Sequence, residues 1–232
     1  MPSLRYPIHR PEQSTTTNYV SIPTHVNHEQ SDEPKCSISR ELMATSFDRT
    51  WLSRSFVLQR LPCTMINWQF YPKSDEAPQI AHAVIAAFTA TSTLIDSSTQ
   101  TLESNQVLGF LSEHLVSSGF IVETSKTKAG KIKIPVLFGR NGRLEKSFDA
   151  DAFHKDSRFV LEVEAGRGVV NNQFLKDLFQ ACMMHDVDYL GIAIRNVYRK
   201  SPDFEKVVRF FDTMYASSRL VLPLKGILVV GY

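Results

Sequence analysis

The sequence predicts an α/β protein built on a central mixed β-sheet with helices on both faces, and three observations point there. Apolar segments of strand length alternate along the chain with longer segments whose apolar residues recur at helical spacing. Two late segments, Tyr189–Ile194 and Leu224–Val230, are apolar almost throughout, the pattern of strands covered on both faces. A polar break at Lys155–Arg158 divides two further strand-like segments, as the turn of a hairpin would.

Each element has its own local signal. Residues 1–50 are rich in Ser, Thr, Asn and Pro, hold five of the eleven prolines within 34 positions, and sustain no period. They read as a disordered or loosely packed arm ahead of a foldable domain over residues 51–232. Phe56–Leu58 and Met65–Phe70 read as short extended segments. Ser74-Asp75-Glu76 reads as a helix start, with Ile80, Ala83, Val84, Ala87 and Phe88 on one face to about Thr91. Thr101 to Ser117 predicts a second helix with a stripe of Val107, Leu108, Leu111 and Leu115, closed by Gly119. Phe120–Glu123 reads as a strand, and Ile134–Phe138 as a second before a turn at Gly139–Gly142. After the hairpin, Asn171 to about His185 predicts a helix with Phe174, Leu178, Ala181 and Cys182 on one face. Ser201-Pro202-Asp203 then reads as a helix start, followed by an apolar face of Phe204, Val207, Val208, Phe211 and Tyr215.

Composition excludes several classes. With 43% hydrophobic and 22% charged residues the chain reads as globular, and no apolar run is long enough to span a membrane. The first residues lack the apolar core of a secretory signal, and the three cysteines, Cys36, Cys63 and Cys182, are far apart. Together these predict a cytoplasmic protein without a disulfide framework or zinc knuckle. Cys182 lies on an apolar helix face and reads as core. His25 and His28 lack thiol partners for a metal site. No G-x-S-x-G occurs, and Gly166-Arg167-Gly168 lacks the rest of a phosphate loop, so it reads as a tight turn. The net charge is only +2, yet residues 126–146 hold seven Lys or Arg against one Glu. Such a stretch is either a solvated surface or a contact for a polyanion.

The hairpin SFDADAFHKDSRFVLEVEAGRG poses the main question. Alternation puts Asp149, Asp151 and Phe153 on one face of the first strand, and Val160, Glu162 and Glu164 on one face of the second. Pairing symmetric about Asp156 and Ser157 sets Phe153 opposite Val160, Asp151 opposite Glu162 and Asp149 opposite Glu164. Like charges directly opposed destabilise a sheet. A divalent cation would compensate, Mg²⁺ being a hard ion that takes carboxylate, water and phosphate oxygens. Alternatively Asp149 and Glu164 sit at the sheet margin, neutralised by Lys146, Lys155 or Arg167, or the register slips by one.

Asp151, followed eleven positions later by Glu162-Val163-Glu164 at the end of an apolar run, resembles the PD-(D/E)xK motif of the restriction-endonuclease-like nucleases. LESN at 102–105, PVLFG at 135–139, and EVEAGRG followed by NNQFLKDLFQA are similar to a group of bacterial proteins of that superfamily. The resemblance spans roughly residues 80 to 200. It implies a restriction-endonuclease-like mixed sheet flanked by helices, and a Mg²⁺-dependent phosphodiesterase acting on DNA, with Mn²⁺ as a substitute ion. A homodimer is implied as well. The residue two after the motif Glu is ordinarily Lys; here it is Glu164, as in some type II restriction enzymes.

Carried onto this chain, the resemblance makes Asp151 and Glu162 the metal ligands and Glu164 a general base or a contact to a second ion. It places Glu103, on the first helix of the motif, within approach of the metal; a solvated first-turn residue is the other reading of that position. Arg167 or Lys176 would supply the positive charge of the missing lysine. Lys126, Lys128, Lys131, Lys133 and Arg140 would track phosphates, with Arg167 and Lys176 beside them. The competing class is a non-catalytic nucleic-acid-binding or interaction domain that keeps the fold.

Overall fold

The structure is a computed structural model that describes residues 66–125, 127 and 129–232. The arm at 1–50, the segment Phe56–Leu58, His25, His28, Cys36, Cys63, Lys126 and Lys128 lie outside the described residues.

Among the described residues twelve strands and α-helices follow one another: β1 (Asn67–Tyr71), α1 (Gln79–Ile95), α2 (Ser104–Ser117), β2 (Ile121–Val122), β3 (Ile132–Phe138), β4 (Leu144–Ala150), β5 (Ala152–His154), β6 (Phe159–Glu164), α3 (Gln173–Met183), β7 (Tyr189–Ile194), α4 (Asp203–Ser217) and β8 (Gly226–Gly231). A single 3-10 turn, Arg140–Gly142, joins β3 to β4. Six strands form one sheet in the order β1-β8-β7-β6-β5-β2, while β3 and β4 pair separately as a two-stranded ribbon. The central pairs β6-β7 and β7-β8 are parallel, and β1-β8, β5-β6 and β2-β5 are antiparallel. The expected mixed sheet is therefore present.

Helices cover both faces of it. Parallel neighbours need a crossover, and α3 and α4 are the crossovers of β6 to β7 and β7 to β8. Both helices pack on the face carrying Val160, Leu190, Ile192, Ile227 and Val229. α1 and α2 pack on the opposite face, against Phe159, Leu161, Val163, Leu228 and Val230. Alternate residues of one strand thus serve two cores, which is why the central strands read as continuous apolar runs. Phe159, Leu161 and Leu190 are wholly enclosed. Each such side chain stabilises the fold by about 1.5–3 kcal/mol.

Two helix starts differ from the sequence expectation, and proline explains both. α1 begins at Gln79 rather than near Ser74, because Pro78 takes the N-cap in extended conformation and disfavours helix in the residue before it. Residues 72–75 form a turn instead, Asp75 N–H donating to Pro72 O at 3.1 Å. At α4, Pro202 is the N-cap and Ser201 stands outside the helix. α2 closes as expected near Gly119, in a Schellman arrangement: Phe120 N–H donates to Leu115 O and Gly119 N–H to Val116 O, both at 3.0 Å. Gly119 has φ +91°, and a Cβ there would come within 2.9 Å of the His154 ring.

A short turn after β7 breaks the usual residue preference. Tyr198 and Ser201 exchange both backbone hydrogen bonds, 2.9 and 2.8 Å, across Arg199 and Lys200. Both central residues have positive φ, 48° and 67°. A two-residue turn of this kind favours Asn-Gly, and a side chain with Cβ in the left-handed region costs roughly 1–2 kcal/mol. Replacing Arg199-Lys200 by Asn-Gly should therefore raise stability by about 1–2 kcal/mol. Urea titration would show it as a higher midpoint at unchanged slope; a lower midpoint would refute it.

Candidate active site

The pairing of β5 with β6 is the predicted one, Phe153 opposite Val160 and Ala152 opposite Leu161. Beyond Ala152 the ladder stops. Asp151 is a bend between β4 and β5, and β4 turns away to pair with β3. The Asp151 carboxylate replaces the lost neighbour, accepting the Val163 N–H at 2.8 Å. A fork thus opens in the sheet, and its cleft, about 470 Å³, is lined by Asp151, Glu162, Glu164, Asp177, Glu123, Lys131 and Lys176 among others.

Asp151, Glu162 and Glu164 do converge on this cleft, Glu162 and Glu164 projecting from β6 on the side that α3 covers. Asp149 also lines the cleft, but not opposite Glu164 as expected. It rides on β4 opposite Lys133, and its carboxylate pairs with Lys131 Nζ at 2.6 Å. The fourth acidic partner is instead Asp177, from α3, which is 3% exposed. Asp177 shares a hydrogen bond with the Glu164 carboxyl, and its Oδ2 is buried with no hydrogen-bond partner among the described residues. Glu123 lines the cleft as well, and its backbone N–H donates to Asp151 O at 2.8 Å.

Burial dominates the electrostatics. It pushes the Asp151 carboxyl up to about 6 despite the Val163 N–H, with Glu123 and Asp177 adding to the rise. Burial, then the charges of Asp151, Asp177 and Glu164, hold Glu162 well above the usual carboxylate range. Glu164 is pushed up to about 8 by burial and by the Asp177 charge and hydrogen bond. Asp177 is raised by burial as well, against the pull of Lys176. Burial and the neighbouring carboxylate thus oppose the charged form of Glu164, and burial that of Asp177. Lys176 Nζ, 3.8 Å from Asp177 Oδ1, is the cation that counters all four of these carboxylates.

Other predicted residues are placed differently. Glu103 is the N-cap of α2 and forms a capping box with Gln106, whose side chain accepts the Glu103 N–H at 2.8 Å. It borders a neighbouring groove rather than the carboxylate cleft, and the first-turn reading is the one that fits. The residue of that helix at the cleft is Ser104, whose Oγ accepts the Ala165 N–H at 3.1 Å and ties α2 to the end of β6. Arg167 lies on the loop after β6, lining that same neighbouring groove, and is exposed. Lys131 reaches the cleft ion-paired, Lys133 lines a separate recess behind the ribbon, and Arg140 is exposed on the 3-10 turn. Cys182 is partly buried, and burial pushes its thiol up.

Asp177 was readable and unread. It falls with Phe174, Leu178 and Ala181 at the i, i+3, i+4 and i+7 positions of the buried stripe of α3. A carboxylate in such a stripe needs a partner inside the protein.

Among the described residues no group of three or more His, Cys, Asp or Glu side chains is arranged so that it could hold a metal ion. No helix among them is long and apolar enough to cross a membrane.

No family model matches the chain, and no curated protein sequence matches it significantly. Among solved structures it is similar to the crystal structure of free BglII, with a TM-score of 0.39 and 13% sequence identity over 72% of this chain and 78% of that one.

Proposed function

We propose that the chain is a Mg²⁺-dependent DNA endonuclease that hydrolyses phosphodiester bonds. The observation that carries this reading is the crowding of Asp151, Glu162, Glu164 and Asp177 in one open cleft, where Lys176 is the cation that counters all four. Folding alone does not favour four half-buried or buried acids gathered in one cleft. The donor set is all oxygen, as a hard cation requires, and the orphaned Asp177 Oδ2 marks a polar demand that the protein leaves unmet. Mg²⁺ keeps several waters and takes phosphate oxygens, so an open cleft suits it better than a closed cage.

Asp151 and Glu162 would hold the ion, with Asp151 fixed in orientation by Val163. Bound there, Mg²⁺ would polarise the scissile phosphate and acidify a bound water. The charge of an ion held by Asp151 and Glu162 would favour the ionised form of Glu164, which would then take the proton of the attacking water at its carboxylate, with Asp177 behind it. A base that titrates near the working pH is well matched to this task. Lys176 would supply the positive charge that the motif lysine gives elsewhere, since it lines the carboxylate cleft with its Nζ 3.8 Å from Asp177 Oδ1, whereas Arg167 lines only the adjoining groove. Ser104 would hold the end of β6 in place.

The test is conversion of supercoiled plasmid to nicked and linear forms, with Mg²⁺ or Mn²⁺ against EDTA. Cleavage should need the ion and fall about 10–100-fold in Lys176→Ala, the loss typical when a group supporting a metal site is removed. Duplex binding without any cleavage, across several salts and substrates, would refute the nuclease and favour a binding domain that keeps the fold. The ratio of linear to nicked product, read beside light scattering, would report whether two copies act together.

A further inference from the structure

The C-terminal ends of β6 and β7 frame a second recess, about 470 Å³, lined by Arg167, Asn171, Tyr198, Arg199, Ser201 and Lys206 among its residues, none of them acidic. Arg167 also lines the groove that contains Glu164 and Ser104, and those two line the carboxylate cleft. The recess and the cleft are thus linked through one loop. Ligands of open α/β sheets gather at this end of the strands.

The recess is built, and built from cations. Tyr198 carries two guanidinium groups over its ring, Arg195 at 5.4 Å and Arg199 at 5.2 Å from the centroid. Arg195 is 6% exposed and donates to Leu102 O, so a fixed positive charge lies beneath the surface. Gly166, at φ +126°, admits the Tyr198 ring, since a Cβ there would stand 2.9 Å from Cε2. Lys206 Nζ is held over the recess by Ser201 Oγ at 2.8 Å, and Ser201 donates in turn to the buried Asp203. Among the described residues no carboxylate lies within ion-pair reach of Arg167, Arg195 or Arg199. The left-handed turn that presents Arg199 and Lys200 is a sequence that folding disfavours.

We propose that this recess is a phosphate-docking subsite that grips the backbone of duplex DNA away from the bond to be cut, using Arg167, Arg199 and Lys206. This rests on the nuclease reading for its ligand, and it adds residues that the basic segment at 126–146 does not contain. Guanidinium forks match phosphate oxygens, and stacking on Tyr198 pre-orders them, so less freedom is lost on contact. Backbone contacts of this kind set register and carry no base specificity.

The test is fluorescence anisotropy of a labelled 20-base-pair duplex with the full chain in EDTA across a salt series, beside the plasmid assay. Arg199→Ala with Lys206→Ala should weaken binding at least about tenfold near 100 mM salt and lower the salt slope by about 2. Arg199→Gln alone should lower the slope by about 1 and carries the test should the double variant not fold. Arg199→Lys should recover most of the loss. Affinity and slope unchanged in the first two variants would overturn the subsite, as would absence of duplex binding by the wild-type chain. Binding that depends on these residues with no plasmid cleavage would uphold the subsite and refute the nuclease; cleavage with indifferent variants would do the reverse.

Discussion

Changing Glu162 to Gln is expected to abolish Mg²⁺-dependent cleavage while making the ion-free protein more stable. The two effects share one cause. Glu162 sits deep in the fork, where burial and three neighbouring carboxylates oppose its charge. Gln keeps the shape and removes that charge, so repulsion with Asp151, Asp177 and Glu164 is relieved. The same change removes a ligand from the place where the ion must sit. Cleavage should fall on the order of 10³-fold, the scale of losing one electrostatic stabiliser of a transition state. At pH 8 in EDTA the thermal midpoint should rise by roughly 2–4 °C for each kcal/mol of repulsion relieved. A residue important only for packing would lose activity and stability together. Unchanged cleavage in Glu162→Gln, or a midpoint lowered with the activity, would refute the assignment.

Much of the frame was legible. A continuous apolar run located β7 to the residue, and the polar break at Lys155–Arg158, with the alternation on either side of it, gave the register of β5 on β6. Local rules suffice there because the side-chain period is two and one face of each strand must be apolar. The departure of β4 from the sheet was not legible. Phe148, Ala150 and Ala152 alternate without interruption through the bend, so nothing in the pattern marks Asp151 as its pivot. That bend is what sends Asp149 to Lys131 and leaves Asp151 facing Val163. Glu103 illustrates the opposite error. A motif position suggested the metal, whereas an acid at a helix start followed three residues later by Gln already spelled a capping box. The cationic recess was hidden for a different reason: Arg167, Arg199 and Lys206 come from three separate segments, and only tertiary packing of Tyr198 on Gly166 brings them together.

Without divalent ions the protein should lose stability steadily as pH rises from about 4 to about 8, the reverse of ordinary acid denaturation. Unfolded Asp and Glu titrate near 3.9 and 4.3, whereas folded Asp151 holds its proton to about 6 and Glu164 to about 8. Between these limits the folded state binds more protons than the unfolded one, so stability falls with each increment of pH. Asp151 contributes between about pH 4 and 6, and Glu164 between about 4 and 8, with Glu162 falling in the same direction. Water entering the open cleft reduces the full effect, leaving on the order of 3–5 kcal/mol over the window. Mg²⁺ competes with those protons, so its stabilisation should be small at pH 5 and large at pH 8. Urea midpoints from pH 4.5 to 8.5, in EDTA and in 10 mM-scale Mg²⁺ as a rough working excess, would read both slopes. Glu164→Gln should reduce the EDTA slope above pH 6, because folded Glu164 holds its proton to about 8, past the point where Asp151 has lost its own. A midpoint independent of pH in EDTA would mean that solvent already screens these carboxylates, and the strained cluster that makes the fork a plausible ion site would lose its physical basis.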